Sequence, residues 1–130
     1  MATSQQLAAF NYAVPVPLVW NPVRTSSFNA VAGNAYPVNT TSSAVTVTLP
    51  ASPTAGQAVQ ITDYAGTFNT NNCTINPSGA KINGTSGSLF ATVNRESIAL
   101  VYVDATQGWI VYSATFANLF TQYTASYLIA

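Results

Sequence analysis

Six side chains in this chain of 130 residues carry a full charge, namely Arg24, Asp63, Lys81, Arg95, Glu96 and Asp104, and there is no histidine. Cys73 is the only cysteine. Those counts restrict the chemistry. A Ser-His-Asp or Cys-His arrangement needs a histidine to take the proton from its nucleophile, so neither can be built within one chain. A disulfide or a zinc knuckle needs at least a second cysteine. Asp63, Glu96 and Asp104 are separated by long intervals and stand beside turn residues, so a glycosidase-type carboxylate pair would have to come from tertiary folding alone. The reading is of a protein that is not an enzyme and has no catalytic, cofactor-binding or metal-binding residues.

Each of these residues has a structural reading instead. Asp104 opens Asp104-Ala-Thr-Gln-Gly108 and is expected to accept backbone N–H bonds in a hairpin turn. Asp63 is expected to do the same before Tyr64-Ala-Gly66. Arg95 and Glu96 follow Asn94 at a hairpin tip and read as solvated charges that discourage edge-to-edge aggregation. Cys73 reads as a small buried apolar residue on a strand. The aromatic set Tyr64, Phe68, Tyr102, Trp109 and Tyr112 alternates with β-branched residues, which predicts mostly core and cross-strand packing.

Charged residues make up 5% of the chain, against about a quarter in an average globular domain. Charge keeps an exposed surface soluble, so part of this surface is expected to be covered by copies of the chain or by a larger assembly. The net charge is zero, and no cluster of Lys and Arg offers nucleic acid a footprint. No run approaches the roughly 20 apolar residues of a membrane helix. Met1 to Tyr12 has neither the basic nor the apolar region of a secretory signal, so synthesis in a cytoplasm is expected, with no membrane partner.

These residues sit on elements of two textures. Ser4 to Phe10 suits one short helical turn. Prolines at 15, 17 and 22 remove backbone donors and push the preceding residues into extended conformations, so Tyr12 to Pro22 is expected to be an extended apolar arm. Such a segment serves either as an edge strand on its own domain or as an arm laid over a neighbouring subunit. The expected division is an attachment segment over residues 1–34 and a β domain over 35–130. Candidate assembly contacts are Phe10, Tyr12, Val16, Leu18 and Trp20 of the arm, Arg24, which is either solvated or docks a partner's carboxylate, and Phe116 and Phe120. The last two are spaced with Leu119 as one apolar face of a short helical turn.

From about Asn34 the pattern is β. Val45, Val47 and Leu49 alternate with threonines, and Val59 and Ile61 repeat the device after the turn residues Pro50 to Gly56. Further strands are expected at Asn72 to Asn76, Ser88 to Val93, Ser97 to Val103, Trp109 to Ala114 and Tyr123 to Ile129. Short strands at regular spacing, broken by Asn, Gly, Ser and Thr, predict an all-β fold, an antiparallel β-sandwich or barrel-like domain behind an extended Pro-rich N-terminal arm.

The order of strand and turn elements from Tyr36 to Tyr112 is more specific than that pattern. It runs Val45-Thr-Val-Thr-Leu49-Pro50, Pro53-Thr-Ala-Gly56-Gln-Ala-Val59, Ile61-Thr-Asp63-Tyr-Ala-Gly66-Thr-Phe68, Gly79-Ala-Lys81-Ile82-Asn83-Gly84, Leu100-Val-Tyr-Val103 and Gly108-Trp109. This stretch resembles a β-rich module of tailed-bacteriophage virion proteins, both capsid decoration or cement proteins and tail-fibre proteins. The resemblance implies a structural protein of the virion, typically a homotrimer. A fibre needs a long shaft, and neither shaft nor coiled-coil heptads are present here. A trimer seated on the capsid surface, with the major capsid protein as partner, is therefore the expectation. The alternative is a fibre component for host adhesion that contacts surface glycans through Asn, Thr and Tyr loops.

Overall fold

The structure, a computed structural model, describes residues 18–115, with side chains through residue 112. Strands dominate these residues and none of them is helical. In chain order the strands are β1 (Val19–Trp20), β2 (Phe28–Asn29), β3 (Asn34–Val38), β4 (Val45–Thr48), β5 (Ala58–Asp63), β6 (Cys73–Asn76), β7 (Lys81–Ile82), β8 (Thr85–Ser86), β9 (Leu89–Ala91), β10 (Ser97–Asp104) and β11 (Gly108–Thr115). One sheet runs β1-β3-β5-β10-β11-β7-β8 and the other β2-β4-β6-β9.

The first six strands alternate between the two sheets. Within each sheet the successive strands are parallel, β1 to β3 to β5 on one side and β2 to β4 to β6 on the other. The chain therefore winds as a flattened coil, one strand in each sheet per turn, in a solenoid-like arrangement. Beyond β6 the pairing changes: β9 is antiparallel to β6, β10 to β5, and β10 and β11 form a long hairpin. All-β is thus what the structure has, but the antiparallel pairing expected throughout is confined to this second half. Period-2 alternation is the same for strands of either sense, and the turn residues at 39–44 and 49–57 carry the chain across to the facing sheet instead of back along the same one.

Parallel winding stacks like residues in register. Phe28, Val47 and Ile75 follow one another across the smaller sheet and Leu89 continues the row. Tyr36, Ile61 and Ile98 do the same across the larger one. These rows face each other and meet Leu49, Phe68 and Trp109 in a single buried cluster. Its burial is the main source of stability, at roughly 25 cal/mol per Å² of apolar surface.

Pro37 lies inside β3 without breaking the sheet. Its neighbours explain this: Ala35 and Pro37 turn their carbonyls to Asn21 and Arg24, whose N–H groups donate at 2.9 Å. Pro37 thus faces the thin β1 side, where a missing donor matters least. The boundary expected at residue 34 falls within β3, and residues 18–34 supply one strand to each sheet. The short helical turns expected at Ser4 to Phe10 and around Phe116, and the strand expected at Tyr123 to Ile129, lie outside the described residues.

Candidate functional site

Two places hold the groups singled out by the sequence. The first is a buried polar clip where β5 ends. Asp63 stands at the register position beside Val38, where a core strand would ordinarily carry another aliphatic residue. Its carboxylate is buried and fully engaged by backbone: Oδ1 accepts from Gly66 and Thr67 at 3.0 and 3.2 Å, and Oδ2 from Phe68 and Arg95 at 3.1 and 2.9 Å. The Asp63 turn expected from the sequence is there, and it also captures the β9–β10 turn. Arg95 completes the clip by donating through Nη1 to the Tyr64 carbonyl at 2.7 Å.

Glu96 departs from its expected role. It is buried, not solvated, and Oε1 accepts from the Val93 N–H at 3.3 Å. Desolvation raises its pKa above the ordinary carboxylate value; hydrogen bonds from the Val93 and Thr92 backbone oppose the rise, and the nearby Asp63 charge adds to it. Cys73 is buried on β6 as expected, its thiol pushed up to about 12 by desolvation and by the charges of Asp63 and Glu96. A thiol held that far from thiolate is a poor nucleophile. No group of three or more potential metal ligands occurs among the described residues. Asp104 accepts from Thr106 and Gln107 at 3.0 and 2.9 Å, as a hairpin-opening residue should.

The second place is the outside of the first coil, residues 18–33. Val19 is 64% exposed, Trp20 56% and Val31 62%, with Val23 also exposed. Exposed large apolar side chains thus recur along one short segment. Backbone geometry fixes the segment: the Val19 and Asn21 N–H groups donate to the Gly33 and Ala35 carbonyls at 2.9 Å, and the Asn21 amide donates to the Asn34 side chain at 2.9 Å.

Of the candidate assembly contacts, Leu18, Trp20 and Arg24 lie on this coil. Leu18 is half-buried and Trp20 projects. Arg24 is half-buried, not freely solvated: its guanidinium lies 4.8 Å from the Phe28 ring centre and 5.3 Å from that of Tyr36, an attraction between cation and ring face. Its Nε is buried and finds no acceptor among the described residues. Phe10, Tyr12, Val16, Phe116 and Phe120 lie outside the described residues. Of the aromatic set, Phe68 and Trp109 are core, but Tyr64 and Tyr112 are more than half exposed. Sequence reasoning missed Val23, Val31 and the exposed Phe90 of β9; only Phe90, alternating with Leu89 and Ala91, carried a signal of outward orientation.

No protein-family model matches the chain, and no curated protein is significantly similar to it.

Proposed function

We propose that this protein is a structural component of a tailed-phage virion, a homotrimeric capsid decoration or cement protein that binds the major capsid protein on the outside of the head. The observation that carries the reading is the exposed apolar coil of Val19, Trp20, Val23 and Val31 on a chain with six charged residues. Such a surface is suited to permanent burial in an assembly. The resemblance over Tyr36 to Tyr112 supports the virion setting, and in this reading the two facing sheets serve as a sandwich-like rigid body. Its work is mechanical: apolar contacts tie neighbouring capsid subunits together against internal pressure. A few anchors dominate such contacts, with truncation of a central Trp worth roughly 2 kcal/mol or more.

A specific feature favours the alternative of host adhesion. Tyr64 is 51% exposed on a loop stiffened by Asp63 and Arg95, which is how a rigid aromatic platform for a glycan would be held. The two readings separate by experiment. Full-length protein is mixed with undecorated capsids and, separately, with host cells, and co-sedimentation is measured. Saturable capsid binding, weakened at least tenfold by Trp20→Ala, is expected for the cement protein. Saturable binding to cells with none to capsids would replace it by the adhesion module.

A further inference from the structure

Arg24 is a cation held in place without an anion. Its N–H donates to the Pro37 carbonyl at 2.9 Å and its own carbonyl accepts from the Asn39 N–H at 2.8 Å, so the backbone is pinned on both sides. The guanidinium lies over the Phe28 and Tyr36 rings, and its buried Nε meets no acceptor among the described residues. The chain's own carboxylates are engaged elsewhere. Residues 1–17 and 113–130 contain no Asp or Glu. Asp63 is buried and accepts four backbone bonds, and Glu96 is buried against Val93. Asp104 closes its own turn at the opposite end of the larger sheet. Arg24 pairs with Val38, which stands beside Asp63 at the end of β5, whereas β10 runs from Thr62 back past Ala58 before it reaches Asp104.

We propose that Arg24 is a receptor for one carboxylate group supplied from outside the chain. With Nε closed off, the acid is met by the two Nη groups, a planar fork that matches the two oxygens of a carboxylate. A phosphate-rich ligand is the poorer match, because such ligands recruit several cations and Arg24 stands alone. Lys81 lies on β7, at the other side of the larger sheet, and Arg95 donates to the Tyr64 carbonyl. Two features favour binding by a single charge. The pinned backbone and the ring contacts leave the side chain less freedom to lose on binding, and a half-buried charge is screened less by salt than one on the open surface. The site is independent of whether the protein belongs to a virion.

The test is a titration of the full-length, nitrogen-15-labelled chain with sodium acetate, against sodium chloride at matched ionic strength, followed by NMR. Arg24 and Arg95 are the only arginines, so the spectrum holds two guanidinium groups and the second is an internal control. Acetate is expected to shift the Arg24 guanidinium signals and the Asn39 amide along a saturable curve, while chloride and the Arg95 signals show no saturation. Arg24→Lys keeps the charge without the fork and is expected to weaken the effect on Asn39 at least tenfold. Arg24→Gln is expected to abolish it, with circular dichroism and thermal melting as controls for folding. If the variants do not fold, the wild-type titration decides alone. Equal responses of Arg24 and Arg95, or of acetate and chloride, would overturn the proposal. So would Arg24 signals already in the bound position at high dilution and indifferent to acetate, since the chain would then fill the site itself. A dilution series of wild type and Asp104→Asn without acetate separates the sources. A concentration-dependent shift that Asp104→Asn abolishes supports a carboxylate from a second copy, and a shift seen only with added acid supports one from a different molecule.

Discussion

The Oδ2 atom of Asp63 and the backbone N–H of Arg95 lie 2.9 Å apart across 32 residues of sequence, and this bond locks the end of β5 to the turn between β9 and β10. Arg95 holds a left-handed conformation there, with φ of 66°, which a non-glycine residue adopts at some strain. The carboxylate offsets that strain by holding the N–H in place.

Asp63→Ala is accordingly expected to be among the most damaging single substitutions in the clip. It leaves the N–H groups of Gly66, Thr67, Phe68 and Arg95 without their acceptor, and Phe68 is fully buried. A loss of about 3 kcal/mol or more is expected, read as a fall in melting temperature of roughly 10 °C. Asp104→Ala, at an exposed turn, is expected to cost only about 0.5–1 kcal/mol. Equal melting temperatures for the two variants would remove the clip from the account of stability.

Glu96 gives the fold a pH dependence of definite sign. Its folded pKa is raised above the unfolded value of 4.5, so its contribution is most favourable below that value and is lost as pH rises through the folded pKa. Glu96→Gln removes the buried charge and keeps an acceptor for Val93. The variant is expected to melt higher than the wild type at pH 7, with the difference vanishing as pH falls toward 4. A difference that grows on acidification would reverse the assignment.

What the sequence made legible follows from where its signals are local. Val45, Val47, Val59 and Ile61 announced their strands and their buried faces through alternation alone, and Asp104 announced its turn through the residues after it. The parallel winding was not legible, because the difference between a hairpin and a crossing to the facing sheet lies in the direction of residues 39–44 and 49–57, not in their composition. Glu96 was misread for a related reason. Its neighbours Asn94 and Arg95 are turn residues with exposed side chains, and only the arrival of β5 beside this turn buries it. Trp20 and Arg24 belong to one segment, but Trp20 projects while Arg24 is half-buried over the Phe28 and Tyr36 rings, a difference that the composition of the segment does not carry.

Gly108 lies close against the backbone of Lys81. A Cβ built there would collide with the Lys81 carbonyl, and its φ of +74° disfavours any side chain. Gly108→Ala is expected to push β7 from β11 and to destabilise by about 3 kcal/mol. Gly56 provides the control, with φ of +92° but open space around it, so Gly56→Ala should carry only the conformational strain of about 1–2 kcal/mol. Chemical denaturation of both variants measures the difference. Similar midpoints would mean that β7 yields freely.

The winding of residues 18–34 into both sheets decides how the chain tolerates truncation. A detachable arm would leave residues 35–130 as stable as the full chain, since little ladder bonding would cross the cut. In the structure Phe28 packs on Tyr36 with ring centres 4.7 Å apart, and the Tyr36 hydroxyl accepts from the Val31 N–H at 2.8 Å. Ala30 is buried in the core and donates to the Thr48 carbonyl at 2.8 Å. Removing residues 1–34 therefore uncovers Tyr36 and the edge of β4, and also cuts into β3. The 35–130 fragment is expected to melt well below the full chain and to expose apolar surface that binds a hydrophobic dye. Phe28→Ala, which keeps the backbone, is expected to reproduce part of that loss, at about 2 kcal/mol. A fragment that melts with the full chain would return residues 18–34 to the role of an arm and remove the first coil from the fold.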